Sequence, residues 1–248
     1  MKPRASFVIP AYNAGAFLAQ AILSCRGQSI KEIEIIVVDD GSTDSTLELA
    51  QWHAKDDPRV KVIKLEDNQG RSAARNIGNA SATSPIILVL DSDDIALRNR
   101  VRDTLLTFQM KNVDVLYGPF QIIDEMDNIL GTQGAGPFNQ EYSRKVKKNF
   151  ICHSTMAYRH GVTMNVQYDE GEFSKLGLDD WKFQWDCILK GYKFGFTKTT
   201  LSRYRLYQLP NHTVGSPTEF NRDEKRVSEI KNEYLSRIDD KLAASKAV

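Results

Sequence analysis

The chain has 248 residues, 33 Lys plus Arg against 32 Asp plus Glu, and a formal net charge of +1 at pH 7. So even a balance excludes a dedicated nucleic-acid binder, which shows a strongly basic face. With 41% hydrophobic and 26% charged residues, it also excludes a chain that is mostly disordered. A globule of this length buries roughly three quarters of its unfolded surface, enough for a core without staples. Cys25, Cys152 and Cys187 are odd in number and far apart, with no Cys-x-x-Cys pair. Neither a zinc site nor a disulfide framework is indicated, and a reducing cytoplasm is the expected compartment. The apolar start at Ser6-Phe7-Val8-Ile9-Pro10 is too short for a signal-peptide core. Runs such as Ile86 to Leu90 are far too short to span a bilayer, so no transmembrane segment is expected.

In chain order, Ser6 to Ile9, Glu34 to Val38, Val60 to Leu65 and Ile86 to Leu90 are rich in Val, Ile and Leu and bounded by turn residues. Between them, Ala14 to Gln28, Ser45 to Lys55 and Arg71 to Ala80 have helical composition. Strands alternating with helices of this length predict parallel β-α-β units. Near-continuous apolar strands such as Ile35-Ile36-Val37-Val38 predict a sheet covered on both faces.

After Asp94 the rhythm changes. A helix is predicted from Leu97 to Lys111 and a strand from Val113 to Tyr117, followed by a Gly-, Asn- and Asp-rich stretch of hairpins and loops to Gln140. Phe150 to Tyr158 reads as a strand, and Asp180 to Lys190 as a helix stopped by Gly191. Lys193 to Thr197 and Leu201 to Tyr207 read as closing strands. From Glu219 onward, Val227, Ile230, Tyr234, Ile238 and Leu242 recur at helical spacing on a charged background. No internal repeat or linker is visible, so a single α/β domain over 1–218 with a C-terminal amphipathic helix over 219–248 is expected.

In an open α/β sheet, ligands sit in the crevice beyond the carboxyl ends of the strands. The first strand is followed there by Pro10-Ala11-Tyr12-Asn13, the second by Asp39-Asp40-Gly41-Ser42-Thr43-Asp44, and the fourth by Asp91-Ser92-Asp93-Asp94. Two like charges about 4 Å apart cost about 4 kcal/mol even at an effective dielectric near 20. Carboxylates from two strand ends converging on one edge therefore call for a cation, and all-oxygen ligation favours Mg²⁺ or Mn²⁺, with open positions for substrate phosphates. The residues themselves point to a metal-dependent site for a diphosphate-containing substrate.

These segments, together with Gly70-Arg71-Ser72-Ala73-Ala74-Arg75-Asn76, resemble family 2 glycosyltransferases. The resemblance implies a GT-A fold, a Rossmann-like mixed sheet flanked by helices. It divides the domain into a nucleotide-sugar-binding half over 1–95 and an acceptor-binding half over 96–218. It implies transfer of a sugar, with inversion, from a nucleotide-diphosphate donor, by family frequency a UDP-sugar, to a saccharide or lipid-linked acceptor. Pro10, Tyr12, Asp39, Asp40 and Arg75 fall where the family contacts the donor, Asp40 on the base and Arg75 near base and phosphates. Asp91-Ser92-Asp93 is the family's D-x-D signature: Asp93 is the first candidate metal ligand, with Asp91 and Asp94 on the metal or ribose. Leu178-Asp179-Asp180-Trp181 resembles the family's acidic pair, with Asp180 at the general-base position. Helix capping is the competing account of both Asp-Asp pairs. His153 falls where a His often lines the acceptor pocket. The family's Tyr-Arg-x-His segment reads Tyr204-Arg205-Leu206-Tyr207 here, without the His, and His212 is a candidate replacement.

The basic run Arg144-Lys145-Lys147-Lys148 offers peripheral contact with anionic lipid headgroups, the place of a lipid-linked acceptor. Two alternatives stand beside the transferase. One is a haloacid-dehalogenase-type phosphatase, whose nucleophile loop Asp91-Ser92-Asp93-Asp94 imitates. The other is a catalytically silent nucleotide-sugar binder.

Overall fold

The computed structural model describes residues 2–134, 136–137, 139, 151–208, 214–215 and 223–246. The first half alternates as expected: β1 (Ala5–Ala11), α1 (Leu18–Arg26), β2 (Ile33–Asp39), α2 (Thr46–Asp56), β3 (Val60–Lys64), α3 (Arg71–Ser81) and β4 (Ile86–Val89). Then follow β5 (Ile95–Ala96), α4 (Arg100–Met110), β6 (Val115–Tyr117), β7 (Phe120–Ile123) and β8 (Ile129–Gln133). After these come β9 (Ala157–Arg159), α5 (His160–Thr163), α6 (Glu172–Lys175), α7 (Asp179–Leu189), β10 (Phe194–Phe196), β11 (Ser202–Arg205), β12 (Tyr207–Gln208), β13 (Val214–Gly215) and α8 (Glu224–Lys246).

A seven-stranded sheet in the order β10-β6-β9-β4-β1-β2-β3 forms the centre. β1 runs parallel to β2 and β4, and β2 parallel to β3, while β9 lies antiparallel between β4 and β6. Every residue of β1 and β2 is buried, because helices cover both faces. Their side chains alternate accordingly. Phe7, Ile9, Ile35 and Val37 pack with Leu18 and Ile22 of α1 and Ala50 of α2. Val8, Ile36 and Val38 pack with Ala74 of α3 and Phe183 of α7 on the other face.

α3 approaches the sheet closely at Gly78, where an added Cβ would stand 2.4 Å from Val8 Cγ1 and 3.2 Å from Val38 Cγ2. Overpacking of this kind costs about 1–3 kcal/mol. Gly78→Ala is therefore expected to lower the unfolding free energy by that amount, read as a lower denaturant midpoint, and an unchanged midpoint would show that α3 can shift freely.

Three of the differences from the sequence expectation shape the site. α1 starts at Leu18 and not Ala14; before it the Phe17 N–H closes a turn on the Ala14 carbonyl (3.0 Å), and the Ala14 and Gly15 N–H groups bond Thr46 Oγ1 (2.7 Å) and Asp44 Oδ2 (3.0 Å). The strand expected from Phe150 begins only at Ala157. Before it, the Thr155 N–H (3.0 Å) and hydroxyl (2.8 Å) both bond the Cys152 carbonyl and close a 3₁₀ turn over His153–Thr155. The segment from Ser202 leaves the main sheet. There, β11 joins a second, four-stranded sheet ordered β5-β11-β7-β8.

The C-terminal helix forms as the spacing predicts. Val227 and Ile230 pack with Leu178, while Leu235 and Ile238 pack with Trp181 and Trp185 of α7. The side chain of Leu242 lies outside the described residues, as do His212 and the run Arg144-Lys145-Lys147-Lys148. No helix among the described residues is long and apolar enough to cross a membrane.

Candidate active site

The carboxyl ends of β1, β2 and β4 lie at one edge, since Ala11 pairs with Asp39 and Val8 with Val89. Because β9 is antiparallel, the turn leading into it, with His153, reaches that same edge. The two sheets and the start of α7 enclose a cavity of about 1170 Å³. Pro10, Tyr12, Asp40, Arg75, Asp91, Ser92, Asp93, His153, Asp179 and Asp180 all line it. Ten of the candidate residues, from six separate segments, thus share one space.

Two candidates stand behind that lining. Strand alternation turns Asp39 to the α1–α2 face with Ile35 and Val37, where it is fully buried and its carboxylate oxygens have no hydrogen-bond partner among the described residues. Asp94 is 1% exposed, and its Oδ1 accepts the Arg205 N–H at 2.8 Å. The cause is the pairing of β5 with β11, which draws the residue inward and away from a ligand role.

Asp40 has structural work at the cavity floor. Its two oxygens accept the N–H groups of Gln69 (2.7 Å) and Gly70 (2.9 Å), fixing the loop that starts α3. Gly70 at φ 91° needs the freedom of glycine, and so does Gly41 at φ 68°. An added Cβ on Gly41 would also meet the backbone at Asp67 within 2.7 Å. Burial raises the Asp40 pKa, the two N–H bonds oppose that, and Asp39 adds to it. Tyr12 stays 48% exposed at the rim, free to meet a planar group.

Arg75 occupies the centre. Its guanidinium donates to Asp91 Oδ1 at 2.7 Å and to Asp179 Oδ2, and lies 5.4 Å over the Tyr168 ring. One buried cation therefore joins the D-x-D loop to the acidic pair of α7. Burial acts most strongly and would raise the Asp91 pKa, but the Arg75 charge and hydrogen bond together with His153 and Arg71 outweigh it and hold Asp91 at about 2. Asp93 goes the other way, raised by burial and by the neighbouring Asp91 charge.

Asp180 sits in the first turn of α7, its Oδ1 accepting the Trp181 N–H at 2.6 Å. Burial, then the charge of Asp179, push its pKa up to about 7, with Arg75 opposing. A carboxylate poised there suits general-base work near neutral pH. His153 has Nε2 3.2 Å from the Tyr168 hydroxyl, while burial and then Arg75 lower its pKa to about 3. It is a neutral imidazole in the wall of the cavity.

Sequence reasoning passed over Arg205 and Tyr207 because it looked there only for a histidine. Arg205 is buried, with Nε on the Asp93 carbonyl (2.9 Å), and the Tyr207 hydroxyl donates to Asp93 Oδ2 at 2.7 Å. The signal was present: an Arg and a Tyr stand in the quoted segment Tyr204-Arg205-Leu206-Tyr207, and both side chains are hydrogen-bond donors suited to an acidic loop. Asn68 and Arg71 also line the cavity and were not singled out.

Among the described residues no group of three or more His, Cys, Asp or Glu side chains is arranged to hold a metal. Asp91 and Asp93 do present hard oxygen donors to one cavity. That donor set fits Mg²⁺ or Mn²⁺, which keeps waters and takes phosphate oxygens to complete its shell.

Comparison with known proteins agrees with this arrangement. The family model "Glycosyl transferase family 2" matches residues 6–166. The chain is 40% identical over 215 residues to the "Putative teichuronic acid biosynthesis glycosyltransferase TuaG" of Bacillus subtilis, covering 87% of this chain and 82% of that protein. It is 38% identical over 122 residues to an "Uncharacterized glycosyltransferase" of Haemophilus influenzae, 49% of each chain, so it spans about half the length of that curated relative. The crystal structure of Staphylococcus aureus TarS 1-349 in complex with UDP-GlcNAc superposes with a TM-score of 0.69 at 21% identity, covering 96% of this chain and 72% of that one. That likeness carries the fold: a mixed sheet flanked by helices, as in GT-A structures. Three strand–helix units precede the D-x-D loop, an order foreign to the phosphatase alternative. On its motifs, its topology and the extent of the match, the chain belongs to glycosyl transferase family 2.

Proposed function

We propose that the chain is an inverting, metal-dependent glycosyltransferase moving a sugar from a nucleoside-diphosphate donor, a UDP-sugar, to the hydroxyl of a saccharide or lipid-linked acceptor. The carrying observation is that the D-x-D carboxylates Asp91 and Asp93 and the acidic pair Asp179–Asp180 face one cavity, joined by Arg75. TuaG, whose name places it in teichuronic acid biosynthesis, supports a role in cell-surface polysaccharide or glycoconjugate synthesis.

In this reading residues 1–95 form the donor half and residues 96–218 the acceptor half. Tyr12 packs on the base, Asp40 reaches it from the cavity floor, and Pro10 and Ser92 shape the donor groove. Asp91 and Asp93 are the residues that would hold Mn²⁺ or Mg²⁺; the bound cation supplies charge neutralisation on the leaving diphosphate. Asp180 removes the proton from the acceptor hydroxyl as that oxygen bonds to the anomeric carbon. The bond from that carbon to the diphosphate breaks on the opposite face, and the electron pair leaves with the nucleoside diphosphate. Asp179, ion-paired with Arg75, stands beside Asp180 and contributes to its raised basicity. His153 lines the acceptor side. Peripheral contact at the cytoplasmic face of a membrane, through the run Arg144-Lys145-Lys147-Lys148, belongs to this reading.

A thermal-shift panel of nucleotides and nucleotide sugars with Mn²⁺, Mg²⁺ or EDTA tests the donor. Ligand at about 100 times its Kd stabilises by about 2.7 kcal/mol, so one nucleotide family should raise the melting temperature, and more with the cation than with EDTA. A flat panel would remove the donor assignment. A shift without acceptor-dependent release of nucleoside diphosphate would favour the silent binder.

A further inference from the structure

Asp93 is held by a device that none of the assignments above uses. The Tyr207 hydroxyl donates to its Oδ2 at 2.7 Å. The Tyr207 ring meets the Phe17 ring edge-on, with centroids 5.9 Å apart. Phe17 in turn lies 4.4 Å beneath the Arg205 guanidinium. That guanidinium is immobilised: Nε donates to the Asp93 carbonyl (2.9 Å), Nη1 to the Asp124 carbonyl (2.8 Å) and Nη2 to Gln20 Oε1 (2.7 Å). The Arg205 N–H closes the arrangement on Asp94 Oδ1. The phenol therefore stands on a base built from α1, the β7–β8 turn and β11, and it grips the carboxylate from behind. Asp91 is gripped in the same manner from the other side, by Arg75 on Oδ1.

We propose that Tyr207 is a positioning residue for Asp93, orienting the carboxylate so that its Oδ1 faces the cavity and serves the cation-assisted diphosphate subsite. A phenol at this place donates a hydrogen bond and supplies no ligand of its own. Asp91 and Asp93 would then be the residues that hold the cation, and a bound cation would supply charge neutralisation on the nucleotide's phosphates. Cation and nucleotide binding are strongly coupled as a result, and the coupling depends on how well the Asp93 carboxylate is fixed beforehand.

The proposal rests on the donor reading above, and the experiment separates the two. UDP binding is measured by calorimetry with Mn²⁺ and with EDTA, on the wild type and on Tyr207→Phe, which keeps the ring on Phe17 and removes only the hydroxyl. A hydrogen bond to a charged group is lost, so the Mn²⁺-dependent gain in UDP affinity is expected to fall about tenfold. Binding in EDTA is expected to stay at the wild-type value, and the melting temperature of the free protein to fall by no more than the few degrees that one lost hydrogen bond accounts for. A wild type that binds UDP no better with Mn²⁺ overturns the donor reading and this proposal with it. A wild type that shows the gain alongside a Tyr207→Phe variant that keeps it overturns the positioning role alone. Equal losses with Mn²⁺ and EDTA, together with a larger fall in melting temperature, would assign Tyr207 to the fold and also overturn the proposal.

Discussion

Asp180→Asn is expected to lower sugar transfer by about 10²–10⁴-fold, the usual worth of a positioned general base, while nucleotide affinity stays near the wild-type value. The variant keeps the shape and the start of α7, and it removes only the ability to accept a proton. The pH profile of the wild type is part of the same expectation. With a pKa of about 7, Asp180 loses its base form as pH falls through that value, so transfer should drop about tenfold per unit below it. Stability has the opposite sign. A carboxyl whose folded pKa is raised contributes stability that is fully present below its unfolded pKa and is lost as pH rises through about 7. Asp180→Asn should therefore melt at or above the wild-type temperature at pH 8, by scanning fluorimetry. Near-normal transfer by the variant would place the base elsewhere.

Arg75→Ala is expected to destabilise the protein by about 3 kcal/mol, because it takes the nearer cation from the buried Asp179, leaving it Arg71 at 3.8 Å, and the partner from the partly exposed Asp91. Arg75 is 6% exposed at its side chain and Asp179 2%, so water cannot take over the lost partner. In a chain of this size about 1 kcal/mol moves the melting point by about 2–4 °C, so a fall of about 10 °C is the measurable result. Arg75→Lys should rescue little of it, since an ammonium cannot span Asp91 and Asp179 as the planar fork does. In that milder variant the acid limb of the transfer profile should also move to higher pH, since a charge that opposes the rise in the Asp180 pKa is displaced. A melting point within about 2 °C of wild type for Arg75→Ala would show that the bridge carries little of the fold's free energy.

Much of the donor half was legible because its signals are local. Apolar runs ending in Asp91-Ser92-Asp93 or Asp39-Asp40-Gly41 announce both the strand and the crevice beyond it, and the same alternation explains why Asp39 turns inward while Asp40 does not. What was illegible depends on partners distant in sequence. Arg75 read as a donor contact, and only the arrival of Asp179, 104 positions later, makes it a bridge. Asp94 read as a ligand, and β11 claims it from 111 positions away. Tyr207 read as an absence, since a phenol does not announce itself as a neighbour of a carboxylate. Composition could not distinguish the parallel strands from antiparallel β9, and it is β9 that delivers His153 to the site.

α8 has its apolar stripe against Leu178, Trp181 and Trp185, and its Tyr234 hydroxyl bonds Asp186. These contacts fall on the helix that begins with Asp179 and Asp180 and on Leu178 immediately before it. The proton-accepting group is thus only as ordered as a buttress contributed from the far end of the chain. Fraying of α8, a sub-global opening that leaves the central sheet intact, would unseat the base while sparing the nucleotide groove. Amide exchange in α7 should accordingly track exchange in α8 and not that of β1 and β2, making the two halves of the reaction separable by their local stability before they are separable by mutation.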